Sequence, residues 1–513
     1  MRFYPNQILM KTSNLTLLLT LGFALLFATL FFEHTWGLNM FLLQLSLFIL
    51  PFGLKQVQLK GIVNYSIVLG TFFSIVFAFF HHTTLALVTS WISLSLFFTI
   101  AASLQVRSVD TVLLSSGANA VLRIPRMAVA LKNLRIGKQK KMRLLPRVRI
   151  IIPVMVVGLF MALYSHSSPT FRSFSSGFFD FFEDAFEFIF QDLNPSFVGW
   201  LILGLFIMSA LILKQIPNKW LLKDNEKSNT LVRTKNYFKG KLPALKTENK
   251  LGVRLLFVLN TMALIVMVGE IKDVWFNFEF EGQLLKSFVH SGMYTLLVAI
   301  LISVGIALYY FRGNQNFYKK NKTLKILTSV WLVENALLVI AVFIRNGIYI
   351  QHYALAYKRI ALIFFLAACL IGIASVLIKI HSTKNVRYLM RLNSLGVYIL
   401  IVSSCTVNWD VLIAKYNFSN KERSFVHLNY LATLNDASLP YLSKDPEILN
   451  QIQTQQRKKF SSSSYQNSID PKTYTEIIAQ KQSKFITFWN SKHWLEWNPS
   501  EQKAFDQLSQ MDQ

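Results

Sequence analysis

The sequence has 513 residues, of which 53% are hydrophobic and only 15% are charged, and its formal net charge is +27. Because soluble domains have about 25% charged residues, this composition excludes an ordinary soluble protein and indicates a lipid environment. The basic residues lie in short segments between apolar runs, which argues against nucleic-acid binding. The two cysteines, Cys369 and Cys405, lie in or beside apolar runs, which argues against a disulfide framework.

Apolar runs along the chain predict the membrane spans. A spanning helix needs about 20 apolar residues, and several of the runs are slightly shorter. The runs cover residues 15–32, 38–52, 62–80, 85–102, 150–164, 197–213, 251–269, 288–311, 324–344, 360–380 and 392–407. We therefore predict an all-α polytopic integral membrane protein with about eleven transmembrane helices.

The charge pattern divides the chain into alternating membrane and loop segments. In order, we predict four transmembrane helices (1–103), a basic cytoplasmic loop (104–149), two helices (150–213), a second basic loop (214–250), a five-helix membrane core (251–407) and a helical tail (408–513). The first loop carries ten basic residues from Arg107 to Arg147 against one acidic residue, and the second carries ten from Lys214 to Lys250 against three.

The basic loops also predict the orientation, because lysine and arginine are retained on the cytoplasmic side of a membrane. The alternate loops are short and neutral or acidic. The N-terminus is therefore expected in the cytoplasm of a bacterial cell, with the protein in the inner membrane. Since the number of predicted spans is odd, the tail is expected outside the cytoplasm.

Two polar segments are predicted to be helical outside the membrane. Residues 171–193 place acidic side chains on one helical face and phenylalanines on another, which is typical of an amphipathic helix lying on the outer surface. The tail contains 12 basic and 11 acidic residues. Its sequences Asp470-Pro471 and Asn498-Pro499-Ser500-Glu501 are helix-start signals, so the tail is either an interaction module or an amphipathic cover.

Glu334 is the strongest candidate for a functional group inside the membrane. It lies about ten residues into the ninth run, which is roughly 15 Å along a helix and close to the middle of a bilayer. Carboxylates at this depth either belong to ion or proton pathways or are held by a structural partner. Both interpretations stay open for Glu334.

Other charged and imidazole side chains are predicted on the outer side. A charged cluster is expected from Glu270, Lys272, Asp273, Arg345, Lys358 and Arg359, as a binding site or as interfacial charges that reach water. Eight of the nine histidines also fall on this side, namely His34, His81, His82, His166, His290, His352, His427 and His493. Since none of them has the spacing of a helical metal site, we predict no metal site and no cofactor.

Two stretches resemble a known protein family. They are residues 408–417, which include Asn408, Trp409, Asp410, Tyr416 and Asn417 and are followed by the matching segments 428–431 and 435–437, and residues 349–360. The resemblance covers about residues 251–442 and is to a bacterial multi-pass membrane family known as domain of unknown function four-one-seven-three. It implies a membrane location and a core of paired helices, but no activity and no catalytic residues.

Three classes of function are compatible with these residues. The first is a non-enzymatic envelope scaffold or sensor, whose tail meets a protein partner outside. The second is a secondary transporter of an ion or small molecule that uses Glu334. The third is a membrane-embedded enzyme acting on lipid or glycan. We favour the first, because the sequence contains no phosphate loop, nucleophile elbow or kinase signature.

Overall fold

The computed structural model describes residues 13–57, 59–102, 106–132, 194–213, 224, 226–233, 245–272, 282–460 and 469–511. Within these ranges the chain is helical, apart from turns and one isolated β-bridge between Thr230 and Lys384. The helices preceding the tail are α1 (Ser13–Phe31), α2 (Leu38–Gly53), α3 (Ile62–His81), α4 (Thr84–Ala101), α5 (Val109–Lys132), α6 (Pro195–Ile212), α7 (Leu245–Glu270), α8 (Gly282–Tyr310), α9 (Lys322–Tyr353), α10 (Tyr357–His381) and α11 (Val386–Ser404). The tail contains α12 (Trp409–Ser419), α13 (Leu428–Ala432), α14 (Leu439–Leu442), α15 (Pro446–Lys459), α16 (Pro471–Ser491) and α17 (Pro499–Met511).

Seven of the described helices, α3, α4, α6, α7, α9, α10 and α11, are long and apolar enough to cross a membrane. Three further predicted runs form shorter apolar helices at Leu15–Phe31, Leu38–Gly53 and Thr295–Tyr310. The predicted run 150–164 and the predicted acidic helix 171–193 lie outside the described residues. The prediction of an all-helical membrane protein is confirmed, whereas the count of eleven spans and the side of the tail stay predictions.

The surfaces of these helices are those of a protein surrounded by lipid. Large apolar side chains remain exposed along them, with Ile62 72%, Ile265 68% and Leu18 61% exposed. In water such exposure would be costly, but in a bilayer the helix satisfies its own backbone groups and the side chains contact lipid. Two of these helices start at a polar side-chain cap, Thr83 for α4 and Asn385 for α11.

Helices α1–α11 form what we call the helix array, and the array contains two groups of helices, each with its own apolar core. The N-terminal group, α1–α6, packs around residues such as Leu43 and Phe97, and the C-terminal group, α7–α10, packs around residues such as Leu332 and Val342. Helix α11 belongs to both, because Leu389 lies in the second core while Tyr398 lies in the first. This helix therefore joins the two groups.

Helix α5 lies within the segment 104–149, which we predicted to be a cytoplasmic loop. Val109 and Val112 are buried in the core of the N-terminal group, and Ser116 forms a 2.5 Å hydrogen bond with Ser95 of α4. The helix also packs against α6 and α11. Small and apolar residues on one face of α5 allow this part of the basic segment to pack against the array, and the cytoplasmic location of the segment stays a prediction.

The tail folds as a helical module, which we call the tail module and define as α12–α17. Its core contains residues from all six of these helices together with two residues from the start of α10 and the turn before it. The predicted helix starts are confirmed: Asp470 accepts a hydrogen bond from the backbone of Thr473, and Asn498 accepts one from the backbone of Glu501. The module lies on the end of the array that carries the turns at 32–37, 82–83 and 354–356. We call this end the tail face and the other end the opposite face.

Candidate functional site

The family-like motif begins with a cap that links the tail module to the helix array. The Asn408 side chain accepts a hydrogen bond from the backbone of Val411 at 3.3 Å, which starts α12, and donates one to the carbonyl of His81 at 3.2 Å. The indole of Trp409 donates to the carbonyl of Ser404 at 2.7 Å. Both side chains therefore fix the direction of the chain as it leaves α11.

The rest of the motif holds the turn between α9 and α10. The Asn417 side chain, which is 1% exposed, accepts a hydrogen bond from the backbone N–H of Leu355 at 2.7 Å and donates one to the carbonyl of the same residue at 3.1 Å. The Tyr357 hydroxyl donates to Asp410 at 2.8 Å. Burial raises the pKa of the Asp410 carboxyl, and the bond from Tyr357 partly offsets that rise. Tyr416 lies in α12 together with Asp410 and Asn417, and its side chain is half-buried.

The turn itself requires this support because its backbone is unusual. Ala354 has a φ of +64°, in the left-handed region that residues with a Cβ rarely adopt. The Arg359 guanidinium donates to the carbonyls of Tyr353, at 2.6 Å, and Ala354, and its carbon lies 4.6 Å from the centre of the Tyr349 ring. The two stretches that carry the family resemblance therefore contact each other and form one structural joint.

The predicted outer charged cluster is not a single site in the described residues. Arg345 and Glu270 form a two-point ion pair between α9 and α7, with side chains 5% and 10% exposed. Lys272 and Lys358 are exposed, whereas Asp273 lies outside the described residues. The sixth member, the arginine of the α9–α10 turn, belongs to the joint described above. The arrangement consists of a buried pair, a structural arginine and two solvated lysines.

Glu334 lies in the interior of the C-terminal helix group, as the sequence predicts. It is 7% exposed, and neighbouring residues on α9, Trp331 and Leu338, belong to the apolar core. Its Oε2 atom and the indole N–H of Trp331 have no hydrogen-bond partner among the described residues. The Asn335 side chain, by contrast, donates to the carbonyl of Trp331 at 2.7 Å. The described residues therefore leave one oxygen of a buried carboxyl in a spanning helix without a partner.

Two histidines of the tail face bind the tail module. His34, in the turn after α1, lies 3.0 Å from the Glu496 carboxylate, and the neighbouring Thr35 hydroxyl donates to the same carboxylate at 2.7 Å. The His34 ring also stacks on His493 with 4.5 Å between ring centres. These contacts attach the segment before α17 to the first turn of the array.

A second contact of the same type attaches α17 to the turn between α3 and α4. His82 lies 3.0 Å from the Glu501 carboxylate, which also pairs with Lys492. Burial acts to raise the pKa of Glu501, but the contacts with His82 and Lys492 outweigh it, so the pKa is lowered. The described residues contain no group of three histidine, cysteine or acidic side chains that could hold a metal ion.

The opposite face carries a charge cluster that we did not predict. Asp224, 2% exposed, accepts hydrogen bonds from Ser108 at 2.8 Å, from Arg391 at 2.9 Å and from Arg387. Arg387 also donates to Asp110 at 2.8 Å. Burial acts to raise the pKa of Asp224, but the donors from the arginines and Ser108 outweigh it and the pKa is lowered.

A signal for this cluster is present in the sequence. The arginines are four residues apart, and therefore on one face of α11, and their partners are among the few acids of the two basic segments. We interpreted all of these charges as topology signals. An acid within a strongly basic segment, together with an arginine pair at helical spacing, would have indicated the cluster.

Comparison with known proteins gives the family but no activity. Neither curated proteins nor solved structures give a match. A family model, described as Domain of unknown function (DUF4153), matches residues 12–444. The number of this family is 4153, whereas the sequence resemblance is to number four-one-seven-three. The match also covers the N-terminal helices, which lie outside the residues of that resemblance. Because the match covers more than half of the 513 residues, the chain belongs to the DUF4153 family.

Proposed function

We propose that the protein is a non-enzymatic scaffold or sensor of the bacterial envelope, and that its tail module meets a protein partner outside the cytoplasm. The observation that carries this proposal is that the tail module has its own core and contacts both helix groups. It holds the C-terminal group through Asn417 and the N-terminal group through Glu496 and Glu501. A partner bound to the module would therefore act on both groups.

The proposed orientation places the N-terminus in the cytoplasm of a bacterial cell and the tail module outside the inner membrane. The turn between α8 and α9 lies at the end of α9 that is remote from the tail module. It carries five basic residues from Arg312 to Lys325, which supports this orientation. Such residues are retained on the cytoplasmic side. The nearly equal numbers of basic and acidic residues in the tail agree with an outer location.

Cysteine labelling in intact cells tests the orientation. Ser483, on α16, and Thr247, on α7 at the opposite face, are both exposed and can be replaced by cysteine one at a time. We expect a membrane-impermeant maleimide to label Ser483→Cys in intact cells and Thr247→Cys only after the cells are opened. The reverse pattern would contradict the orientation. The chain without an added cysteine is the negative control, and it should label weakly because Cys369 is only partly exposed and Cys405 is buried.

Site-specific photo-crosslinking in intact cells tests the partner. A photo-reactive amino acid at Gln480, exposed on α16, should give a discrete crosslinked protein, and one at Lys246, exposed on α7, is the matched control. The crosslinked protein should also co-purify with the wild-type chain and be lost when residues 417–513 are deleted, while the truncated chain still inserts in the membrane. An absent crosslink at tail positions across the module would count against a protein partner.

One observation favours the second candidate, a secondary transporter. The partnerless carboxyl oxygen of Glu334 is what a proton or cation pathway would require at this depth. In proteoliposomes containing a pH-sensitive dye, Glu334→Gln should lower proton-coupled flux at least tenfold and leave thermal stability near normal. Glu248→Gln, which removes a surface ion pair with Arg312, is the control. Wild-type flux equal to that of empty liposomes would exclude this candidate.

The described residues give no comparable support to the third candidate, a lipid or glycan enzyme. On the tail face, the carboxylates of Glu270, Glu496 and Glu501 are each engaged by a basic or imidazole side chain. We therefore keep the scaffold or sensor as the conclusion.

A further inference from the structure

A cleft of about 290 Å³ on the tail module is lined by three lysines, Lys415, Lys421 and Lys444. They come from α12, from the segment after it and from the residues just before α15. The lining contains no acidic residue. Three positive charges around one cleft repel each other, so their collection in one place destabilises the fold unless something compensates.

The three lysines have no acidic partner at ion-pair distance in the described part of the chain. None of the three takes part in an ion pair there. Their acidic neighbours in the sequence, Glu422 and Asp445, are exposed, and Asp445 instead caps the start of α15. Burial lowers the pKa of Lys444, and the charge of Lys421 lowers it further. The cleft therefore lacks a negative charge.

Aromatic rings hold two of the ammonium groups in place. The Lys415 ammonium lies 4.5 Å from the centre of the Tyr441 ring, and the Lys444 ammonium lies 5.5 Å from the centre of the Phe418 ring. Cation–π contacts of this kind orient an ammonium group and leave its N–H donors free for another acceptor. The lysines are therefore partly ordered before any ligand arrives.

The other walls of the cleft are apolar, and the cleft lies beside a helix that touches the membrane part. Phe418 and Ile448 contribute apolar surface, and Ile448 is 37% exposed. Leu412, 38% exposed, precedes Lys415 by three residues and so lies on the same face of α12. At the start of α12, Trp409 packs edge-on against Phe364 of the spanning helix α10.

We propose that this cleft binds the phosphate group of an amphiphilic ligand, with the three lysines around the phosphate and the apolar walls around the adjoining hydrocarbon. Lysine binds phosphate as a concentrated positive charge, and neutralising the anion relieves the repulsion among the lysines. The site is a property of the tail module and does not depend on whether that module also binds a protein partner.

The test uses the full-length chain in nanodiscs of phosphatidylcholine with or without phosphatidylglycerol. Lipids retained after release from the nanodisc are measured by native mass spectrometry, and the thermal midpoint is measured alongside. The cleft variant carries Lys415→Gln, Lys421→Gln and Lys444→Gln. The matched control carries Lys458→Gln, Lys472→Gln and Lys484→Gln, three exposed lysines elsewhere in the module.

We expect wild type and the control to retain phosphatidylglycerol in preference to phosphatidylcholine, and the cleft variant to lose at least tenfold in that retention. About tenfold for each lysine in contact is the size expected for a charged hydrogen bond. If the triple variant does not fold, Lys421→Gln and Lys444→Gln are measured singly.

A second arm titrates inorganic phosphate into phosphatidylcholine nanodiscs and follows the thermal midpoint. A rise for wild type and the control that is absent in the cleft variant would support the anion site, and such a rise without preferential lipid retention in the first arm would assign the site to a soluble phosphate rather than a lipid. Equal retention and equal midpoints for the cleft and control variants in both arms would overturn the proposal.

Discussion

The two faces of the helix array are fastened by different chemistry. On the opposite face, Asp224 binds two arginines of α11 in a buried cluster whose guanidinium groups stay charged at every physiological pH. On the tail face, the contacts are a neutral amide, Asn417, and two histidine–carboxylate pairs, at His34 and His82. The opposite face is held by arginines on a buried carboxylate, whereas the tail module is docked by a neutral amide and by histidine–carboxylate pairs.

This difference separates the membrane helices from the tail module. The arginine cluster joins α11 to the basic segments and stabilises the array itself, whereas the contacts of the tail face hold a module with its own core. Individual contacts between two packed units are modest, and regions with few such contacts open first when a fold loosens. The tail face should therefore release its module under conditions that leave the opposite face closed.

The largest effect is expected at the opposite face, from Asp224→Asn. The variant removes the charge that Arg387 and Arg391 share, and breaking a buried ion pair from one side costs about 3–5 kcal/mol. Unfolding by detergent titration in mixed micelles measures it. Glu226→Gln, an exposed acid two residues away, should change stability by less than about 0.5 kcal/mol. Equal effects of the two variants would contradict the role of the cluster.

The next effect is expected at the joint between the tail module and the α9–α10 turn. Asn417→Ala leaves the backbone N–H and carbonyl of Leu355 without partners, which costs about 2 kcal/mol. Rates of proteolytic cleavage within the module should rise, while detergent unfolding of the membrane helices changes little. Asn450→Ala, at an exposed asparagine, is the control. A variant as resistant to protease as wild type would show that the joint is not needed.

Gly37→Ala tests the contact between the first turn of the array and the tail module. A Cβ at Gly37 would overlap the backbone carbonyl of Glu496, so we expect a cost of about 1–2 kcal/mol and a loosened module. Gly22→Ala is the matched control, because a Cβ at Gly22 meets nothing within 4 Å. Protease release of the tail measures both variants. If protease released the tail equally fast from both variants, the close contact between Gly37 and Glu496 would be contradicted.

The smallest effect is the pH dependence of a contact on the tail face. Because its pKa is lowered, Glu501 stabilises the docked module fully above its ordinary pKa of 4.5, and this contribution is lost as the pH falls through the lower folded value. Glu501→Gln should cost about 1 kcal/mol at pH 7, and the difference from wild type should shrink below pH 4.5. Stability measured from pH 7 to pH 3 checks it, and a constant difference would contradict the contact.

The apolar runs predicted the positions of most membrane helices but not their full lengths. Helix α9 continues past the predicted end at residue 344, because Arg345 is neutralised by Glu270. Helix α11 starts at Val386, before the predicted start at residue 392, because Arg387 and Arg391 meet acids there. A hydropathy profile treats each charged residue as exposed to solvent. It therefore predicts that a helix ends at such a residue, although an ion-pair partner from elsewhere in the chain allows the helix to continue.

The candidate sites were predictable where the signal is local and not where it depends on distant parts of the chain. The burial of Glu334 follows from its place in an apolar run, and the starts of α16 and α17 follow from Asp470 and Asn498. The contact between His34 and Glu496 joins residues 462 positions apart, and no local pattern indicates it. The pairing of the two family-like stretches was likewise visible only in the fold.

Hydrogen–deuterium exchange of the full-length chain in nanodiscs tests the central claim most directly, namely that the tail module is a separate unit docked on the tail face. Wild type is compared with Asn417→Ala. The account predicts faster exchange in the turn at residues 349–359 and in the tail module, with no change at Asp224 and at residues 386–391 on the opposite face. Faster exchange on both faces together, or no change on either, would contradict it.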